Sequence, residues 1–175
     1  YETLGSKIKC NPAIKDARHR PEIIKALCND QIDVVATDHA PHTREEKAGS
    51  YLQAPSGLPL VQHSAQIMFE LHLQGYFDVN LIAEKMSHAV ARCFDIKERG
   101  FLKEGYYADA YLLDPKEVYQ VKAENILFKC GWSPLEAQIF SSSISSTWVN
   151  GIQVWDGNAL TQKLPGMRLL FDRNK

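Results

Sequence analysis

The heptapeptide Thr37-Asp38-His39-Ala40-Pro41-His42-Thr43 gathers one carboxylate and two imidazoles in a short stretch of chain. Carboxylates and imidazoles ligate hard-to-borderline divalent metals and move protons near neutral pH. The same residue types also serve as plain caps and turns after a strand, so position must decide between the two readings. Directly upstream lies Ile32-Asp-Val-Val-Ala-Thr37, short, β-branched and almost continuously apolar. That is the pattern of a strand buried on both faces of a parallel sheet. Loops and helix N-termini converge at the C-terminal rim of such a sheet, and ligands bind there. A strand this apolar offers no partner to a charge at its end, which favours the chemical reading of Asp38.

The elements that must position this stretch follow from periodicity and punctuation. Lys7 to Cys10 alternates charged and apolar side chains and breaks at Asn11-Pro12, which predicts a short strand. Pro21 to Cys28 has Pro at the first helical position, Ile24, Leu27 and Cys28 at helical spacing, and Asn29-Asp30 as a stop. With Ile32 to Thr37 this makes a βαβ unit. Asp38 to Ser56 has no periodicity and reads as a long loop, in which Arg44-Glu45-Glu46-Lys47 is a mobile, solvated run, a candidate flap over the site. Leu58 to Leu73 predicts a helix with Val61, Ala65, Met68, Phe69 and His72 on one stripe, and two further helices fit Val79 to Met86 and Ser87 to Phe94. Past Gly100 the texture becomes that of strands: Tyr107 to Leu113, Val118 to Lys122, and Ser145 to Trp155 with Asn150-Gly151 as a two-residue hairpin turn. The predicted boundary lies between residues 98 and 99.

Composition bounds the partners. The 175 residues carry 20 Lys+Arg against 21 Asp+Glu, a net charge of -1, which gives no electrostatic reason to expect nucleic acid or an anionic membrane. Hydrophobic residues at 45% and charged ones at 23% place the chain among globular rather than disordered sequences. No run approaches the roughly 18 apolar residues a spanning helix needs. Cys10, Cys28, Cys93 and Cys130 are widely spaced and read as reduced, mostly buried thiols, which points to a cytoplasmic protein. Arg18-His19-Arg20 reads as a solvated turn, and Trp132, Trp148 and Trp155 as packing within the β-rich part.

Thr37-Asp38-His39-Ala40-Pro41-His42 at a strand end resembles the dihydroorotases of the amidohydrolase superfamily. Other segments resemble the same family in the same order. Asn11-Pro12-Ala13-Ile14-Lys15 is similar to its Asn-Pro-Pro-Leu-Arg stretch and Ser56-Gly57-Leu58 to its Pro-Gly-Leu turn. Gly105 with Ala108 to Asp114, Lys129 to Glu136, and Trp148-Val149-Asn150-Gly151 resemble its later segments. Departures are Ala13-Ile14-Lys15, Pro59 where relatives have Glu, and Ala137-Gln138-Ile139 after Glu136. The resemblance implies an α/β fold: residues 1–98 as the last strands and helices of a metal-dependent hydrolase (β/α)8 TIM-like barrel, and residues 99–175 as the C-terminal part of a small composite β-sandwich. It implies a zinc-dependent hydrolase that interconverts L-dihydroorotate and N-carbamoyl-L-aspartate in pyrimidine (UMP) biosynthesis, as a cytoplasmic homodimer.

Carried over by position, the resemblance makes Asp38 both a ligand of the catalytic zinc and the acceptor of the attacking water's proton. Asn11 and His42 would bind substrate, the backbone around Ala54 to Gly57, with Ser56 and Gly57, would contact the substrate ring, and His39 would orient the loop or Asp38. Apart from the resemblance, Asn11 reads equally as an Asx turn before Pro12, and His42 as a surface histidine. The family's zinc site, of one or two ions, also needs a His-x-His pair, which this chain lacks: its histidines are His19, His39, His42, His63, His72 and His88. One carboxylate cannot hold a zinc that typically takes about three protein ligands. The chain is therefore expected to be a C-terminal portion, inactive alone, whose missing N-terminal segment supplies most metal ligands. Hydantoinase, dihydropyrimidinase or allantoinase is the alternative within the class, and a non-catalytic scaffold subunit the alternative outside it.

Overall fold

In the computed structural model, which describes residues 2–161 and 165–172, regular structure falls into a helical first half and a β-rich second half. Helix α1, Arg20–Cys28, starts with Pro at its first turn and buries Ile24 and Leu27. Helix α2, Arg44–Lys47, is one turn long. Helix α3, Ser64–Leu73, follows a 3-10 turn at Val61–His63. Helices α4, Val79–Ala83, and α5, Ala89–Cys93, are joined without a break by a π turn at Glu84–His88. The core of this half is Leu27, Met68 and Ile82, with Ile32, Val35, Phe69, Leu71, Phe77, Leu81 and Met86 packed around it.

Several expectations are corrected here. Lys7 to Cys10 is not a strand: a 3-10 turn occupies Gly5–Ile8 because the amides of Lys7 and Lys9 close locally onto the carbonyls of Leu4 and Ser6. Ile32 to Thr37 forms no ladder, because a strand needs a partner and the described residues supply only scattered ones. The Val35 amide bonds the Lys85 carbonyl at 3.0 Å, and His39 forms a single parallel bridge with Leu58. The side chain of Lys85, buried, reaches the Asp30 carboxylate and the Ile32 carbonyl, the latter at 2.7 Å. A π turn widens the i to i+4 pattern and frees backbone carbonyls for such outside bonds. It also explains why α4 and α5 form one continuous helix rather than two. The cysteines are free, but Cys28 and Cys93 are exposed, so the expectation of mostly buried thiols fails.

The second half contains two antiparallel sheets. Strands β1, Ala110–Asp114, β4, Ser143–Val149, and β5, Ile152–Trp155, form one in the order β1-β4-β5. Strands β2, Tyr119–Gln120, and β3, Ile139–Phe140, form the other. The β4-β5 turn is Asn150-Gly151 as predicted, both with positive φ, 52° and 76°, which matches the twist of the flanking strands. Arg99 anchors this turn. Its guanidinium is buried, ion-paired to Asp109, bonded to the Asn150 amide oxygen at 2.6 Å and stacked on the Tyr107 ring.

The halves meet at His63. This side chain is fully buried, stacks on Phe140 at 5.9 Å, and also faces Tyr119 and Phe128. Among the described residues neither ring nitrogen has a hydrogen-bond partner. Burial lowers its pKa from 6.5 to about 4, so the native state holds it neutral where an unfolded chain would protonate it. Stability from this group is thus complete above pH 6.5 and is lost as pH falls towards 4, an effect of up to about 3 kcal/mol. Unfolding midpoints of the wild type should fall over that window more steeply than those of His63→Phe, whose ring takes no proton. Parallel pH profiles for the two proteins would contradict the assignment.

Candidate active site at the 38–57 rim

The segment Ile32 to Thr37 ends in Asp38, whose backbone sits at φ 44°. Left-handed geometry costs about 1 kcal/mol or more for most residues and less for Asp and Asn, and it collects at functional sites. The Asp38 side chain is exposed and, among the described residues, has no hydrogen-bond or ion-pair partner. It is a bare carboxylate at the end of an unpaired segment.

Everything after Asp38 is held tightly. The His39 Nδ1 accepts the amides of Leu60 at 3.1 Å and Val61 at 3.3 Å, which caps the turn leading into α3 and leaves the proton on Nε2. Its ring lies 5.0 Å from that of Phe128. The Ala40 amide bonds the Leu58 carbonyl. His42 Nε2 donates to the Ser56 carbonyl at 3.1 Å, its Nδ1 faces the Glu46 carboxylate at 3.4 Å, and its own carbonyl accepts the Trp132 indole N–H at 2.7 Å.

The run Arg44 to Lys47 is the chief correction at the site: it is helix α2 instead of a loop, and while Arg44, Glu45 and Glu46 are exposed as expected, Lys47 is buried. Thr43 caps it by a reciprocal pair, its hydroxyl accepting the Glu46 amide while the Glu46 carboxylate accepts the Thr43 amide at 2.8 Å. Arg44 bonds the Gly131 carbonyl and pairs with Glu136 at 2.8 Å. Lys47 is 1% exposed, and its ammonium donates to the carbonyls of Lys9, Pro55 and Gly57 at 3.0, 2.9 and 3.1 Å. A buried ammonium is tolerable only when its donors are satisfied, and here all of them are. Desolvation lowers its pKa. Trp132, expected to pack within the β-rich part, instead lies against this loop with its N–H on His42.

These bonds bring some of the predicted residues together. His42 touches Ser56 directly. The Gly57 amide bonds the Lys9 carbonyl at 3.0 Å, two residues before Asn11, whose side chain is exposed and whose peptide bond to Pro12 is cis. A Cβ on Gly57, which sits at φ 143°, would lie 2.7 Å from both the Cβ and the carbonyl oxygen of Ala40, two residues beyond Asp38. Lys47 and the link from Trp132 were missed from the sequence, although Thr43-x-x-Glu46 is a readable capping signature, whereas His39 was expected to orient the loop and bonds it at Leu60 and Val61.

Asp38 suits one position of a metal site, being a free oxygen donor at the rim. His39 and His42 spend ring nitrogens on the loop itself, and among the described residues no group of three or more His, Cys, Asp or Glu side chains could hold a metal ion. A complete site needs further ligands.

An amidohydrolase-family match covers residues 10–154, and the chain belongs to the amidohydrolase family. More particularly, it is 31% identical over 160 residues to a dihydroorotase of Halobacterium salinarum and 34% identical over 153 residues to one of Clostridium acetobutylicum, covering 91% and 87% of this chain. An allantoinase of Desulfitobacterium hafniense is 29% identical over 165 residues, 93% of this chain. The chain spans 36 to 38% of the length of these relatives. Its fold matches that of an L-hydantoinase (dihydropyrimidinase) from Arthrobacter aurescens with a TM-score of 0.84 at 24% identity, over 91% of this chain and 37% of that one. Among the described residues no helix is long and apolar enough to cross a membrane.

Gly57→Ala should destabilise the protein by about 2 to 4 kcal/mol, since the new methyl meets backbone as well as side chain and φ is unfavourable. Chemical denaturation measures it, and an unchanged midpoint would show that the close approach of Gly57 to Ala40 is not required.

Proposed function

We propose that this chain is the C-terminal portion of a dihydroorotase, which hydrolyses the ring amide of L-dihydroorotate to N-carbamoyl-L-aspartate and runs the reverse closure in pyrimidine biosynthesis. In this reading residues 1–98 complete a TIM-like barrel and residues 99–175 complete a small β-sandwich. The observation that carries it is the exposed carboxylate of Asp38, on a left-handed backbone and without a partner among the described residues, in a chain whose relatives include dihydroorotases at 31 and 34% identity.

The roles follow from chemistry. Asp38 would hold zinc together with ligands from the rest of the enzyme. Zinc, when bound, supplies a Lewis acid for the amide carbonyl. The Asp38 carboxylate accepts the proton of the attacking water and returns it to the departing ring nitrogen, so that one water is consumed and one C–N bond broken. Asn11 and His42 recognise the polar side of the substrate, and the backbone at Ser56 lies along its ring; Gly57, expected there too, is buried with its open side filled by Ala40, so it shapes the turn instead of touching the ligand. Exposure of Asn11 and Ser56 supports their access to a ligand.

A second reading, hydrolysis of allantoin or a hydantoin, is favoured by the allantoinase relative and the hydantoinase fold. Assay of the whole gene product on dihydroorotate, allantoin, hydantoin and dihydrouracil separates the two. Dihydroorotate should be preferred, and preferential turnover of allantoin or hydantoin would transfer the assignment. Turnover of none would leave the non-catalytic scaffold.

Asp38→Asn is the informative variant, because Asn tolerates the same left-handed backbone and only the charge is lost. Turnover should fall by about a thousandfold with the unfolding midpoint unchanged. Retained activity would remove Asp38 from the chemistry.

A further inference from the structure

We propose that Lys47 is a positioning residue of this site, whose buried ammonium sets the peptide planes of residues 55 to 58 and so aims a backbone donor, the Ser56 amide, at the substrate. The proposal rests on the reading of the rim as a hydrolytic site. Lys47 has no carboxylate partner among the described residues. Its three bonds all go to neutral main-chain carbonyls, drawn from two segments, Lys9 on one side and Pro55 and Gly57 on the other. A buried charge spent on neutral acceptors is a poor device for stability, since apolar packing of the same volume does as well or better. It is an effective device for geometry, because three fixed donors orient three carbonyls at once.

The consequence follows from the planarity of the peptide bond. The carbonyl and the following N–H of a trans peptide point in opposite directions. With the Pro55 carbonyl drawn inward to Lys47, the amide of Ser56 points away from the buried ammonium, and it has no partner among the described residues. The neighbouring planes are fixed as well. The Ser56 carbonyl is held by His42, the Gly57 amide by the Lys9 carbonyl, and the Gly57 carbonyl by Lys47. Ser6 completes the support by donating its hydroxyl to the Lys47 carbonyl at 2.7 Å. A free N–H between fixed planes suits an oxygen acceptor on a cyclic amide or its carboxylate.

The test uses the whole enzyme with Lys47→Met, which keeps the length of the side chain without its donors, and Lys47→Gln, which keeps part of them. Steady-state kinetics on dihydroorotate should show KM raised by at least about tenfold in Lys47→Met, with kcat per folded molecule within about threefold, and a smaller rise in Lys47→Gln. Hydrogen exchange should show the Gly57 amide exposed at least about tenfold faster while amides of α3 keep their protection. A residue that only stabilises would lower activity in proportion to the folded fraction and leave KM unchanged, and that result overturns the proposal. If Lys47→Met does not fold, Lys47→Gln carries both readouts. If the wild type turns over no cyclic amide, the functional reading fails by itself, and unchanged exchange at Gly57 would then overturn the positioning role while faster exchange would uphold it.

Discussion

The rim depends on a single cation placed where water cannot reach it. Taking an ammonium out of water costs several kcal/mol, and Lys47 recovers this only through carbonyls contributed by Lys9, Pro55 and Gly57. The three acceptors belong to segments with no regular secondary structure of their own. The stretch after Ile8 and the stretch before Leu58 are also joined by the Gly57 amide on the Lys9 carbonyl and by the Lys9 ammonium on the Ala54 carbonyl at 2.7 Å, so Lys47 fastens a seam that has further ties. The helix that carries Lys47 is a single turn, too short to persist unaided, and survives through the reciprocal bonds of Thr43 and Glu46 and through the packing of the lysine itself.

Around this centre, the β-rich half acts as an outer brace. Trp132 closes on the His42 carbonyl, Arg44 reaches across to Gly131 and Glu136, and Phe128 covers the His39 ring. The site loop therefore has an inner fastening through Lys47 and an outer one through the segment 128–136. Asp38 is the exception, since it alone on this rim combines a left-handed backbone with an unpaired charge. The contrast between a fixed frame and one free carboxylate is what a site for chemistry requires, because a group already committed to an ion pair cannot also bind metal or exchange a proton.

Sequence patterning revealed the parts of the fold that follow from local rules. Helix α1 was legible from Pro21 and the spacing of Ile24 and Leu27, and the β4-β5 hairpin from Asn150-Gly151, because both signals act within a few residues. The segment Ile32 to Thr37 has the composition of a buried strand, but a ladder is a property of two segments, and composition describes only one. The run Arg44 to Lys47 misled for a related reason. Charged residues in a loop are normally solvated, and burial of Lys47 is decided by carbonyls eight and more residues away that no local pattern records. At the site, residue types were enough to single out Asp38 and His42. The brace from Trp132 could not be read, since indoles give no sign of which carbonyl they will find.

The bond from Trp132 to His42 joins residues 90 positions apart. Contacts of that span close slowly, because the intervening chain must surrender its freedom before the contact returns anything. On a growing polypeptide, the 38–57 loop consequently stays unfinished until the stretch beyond residue 132 has cleared the ribosome. The outer brace of the loop is thus among the last features that biosynthesis confers, and a nascent chain arrested earlier carries the Asp38 carboxylate without its frame.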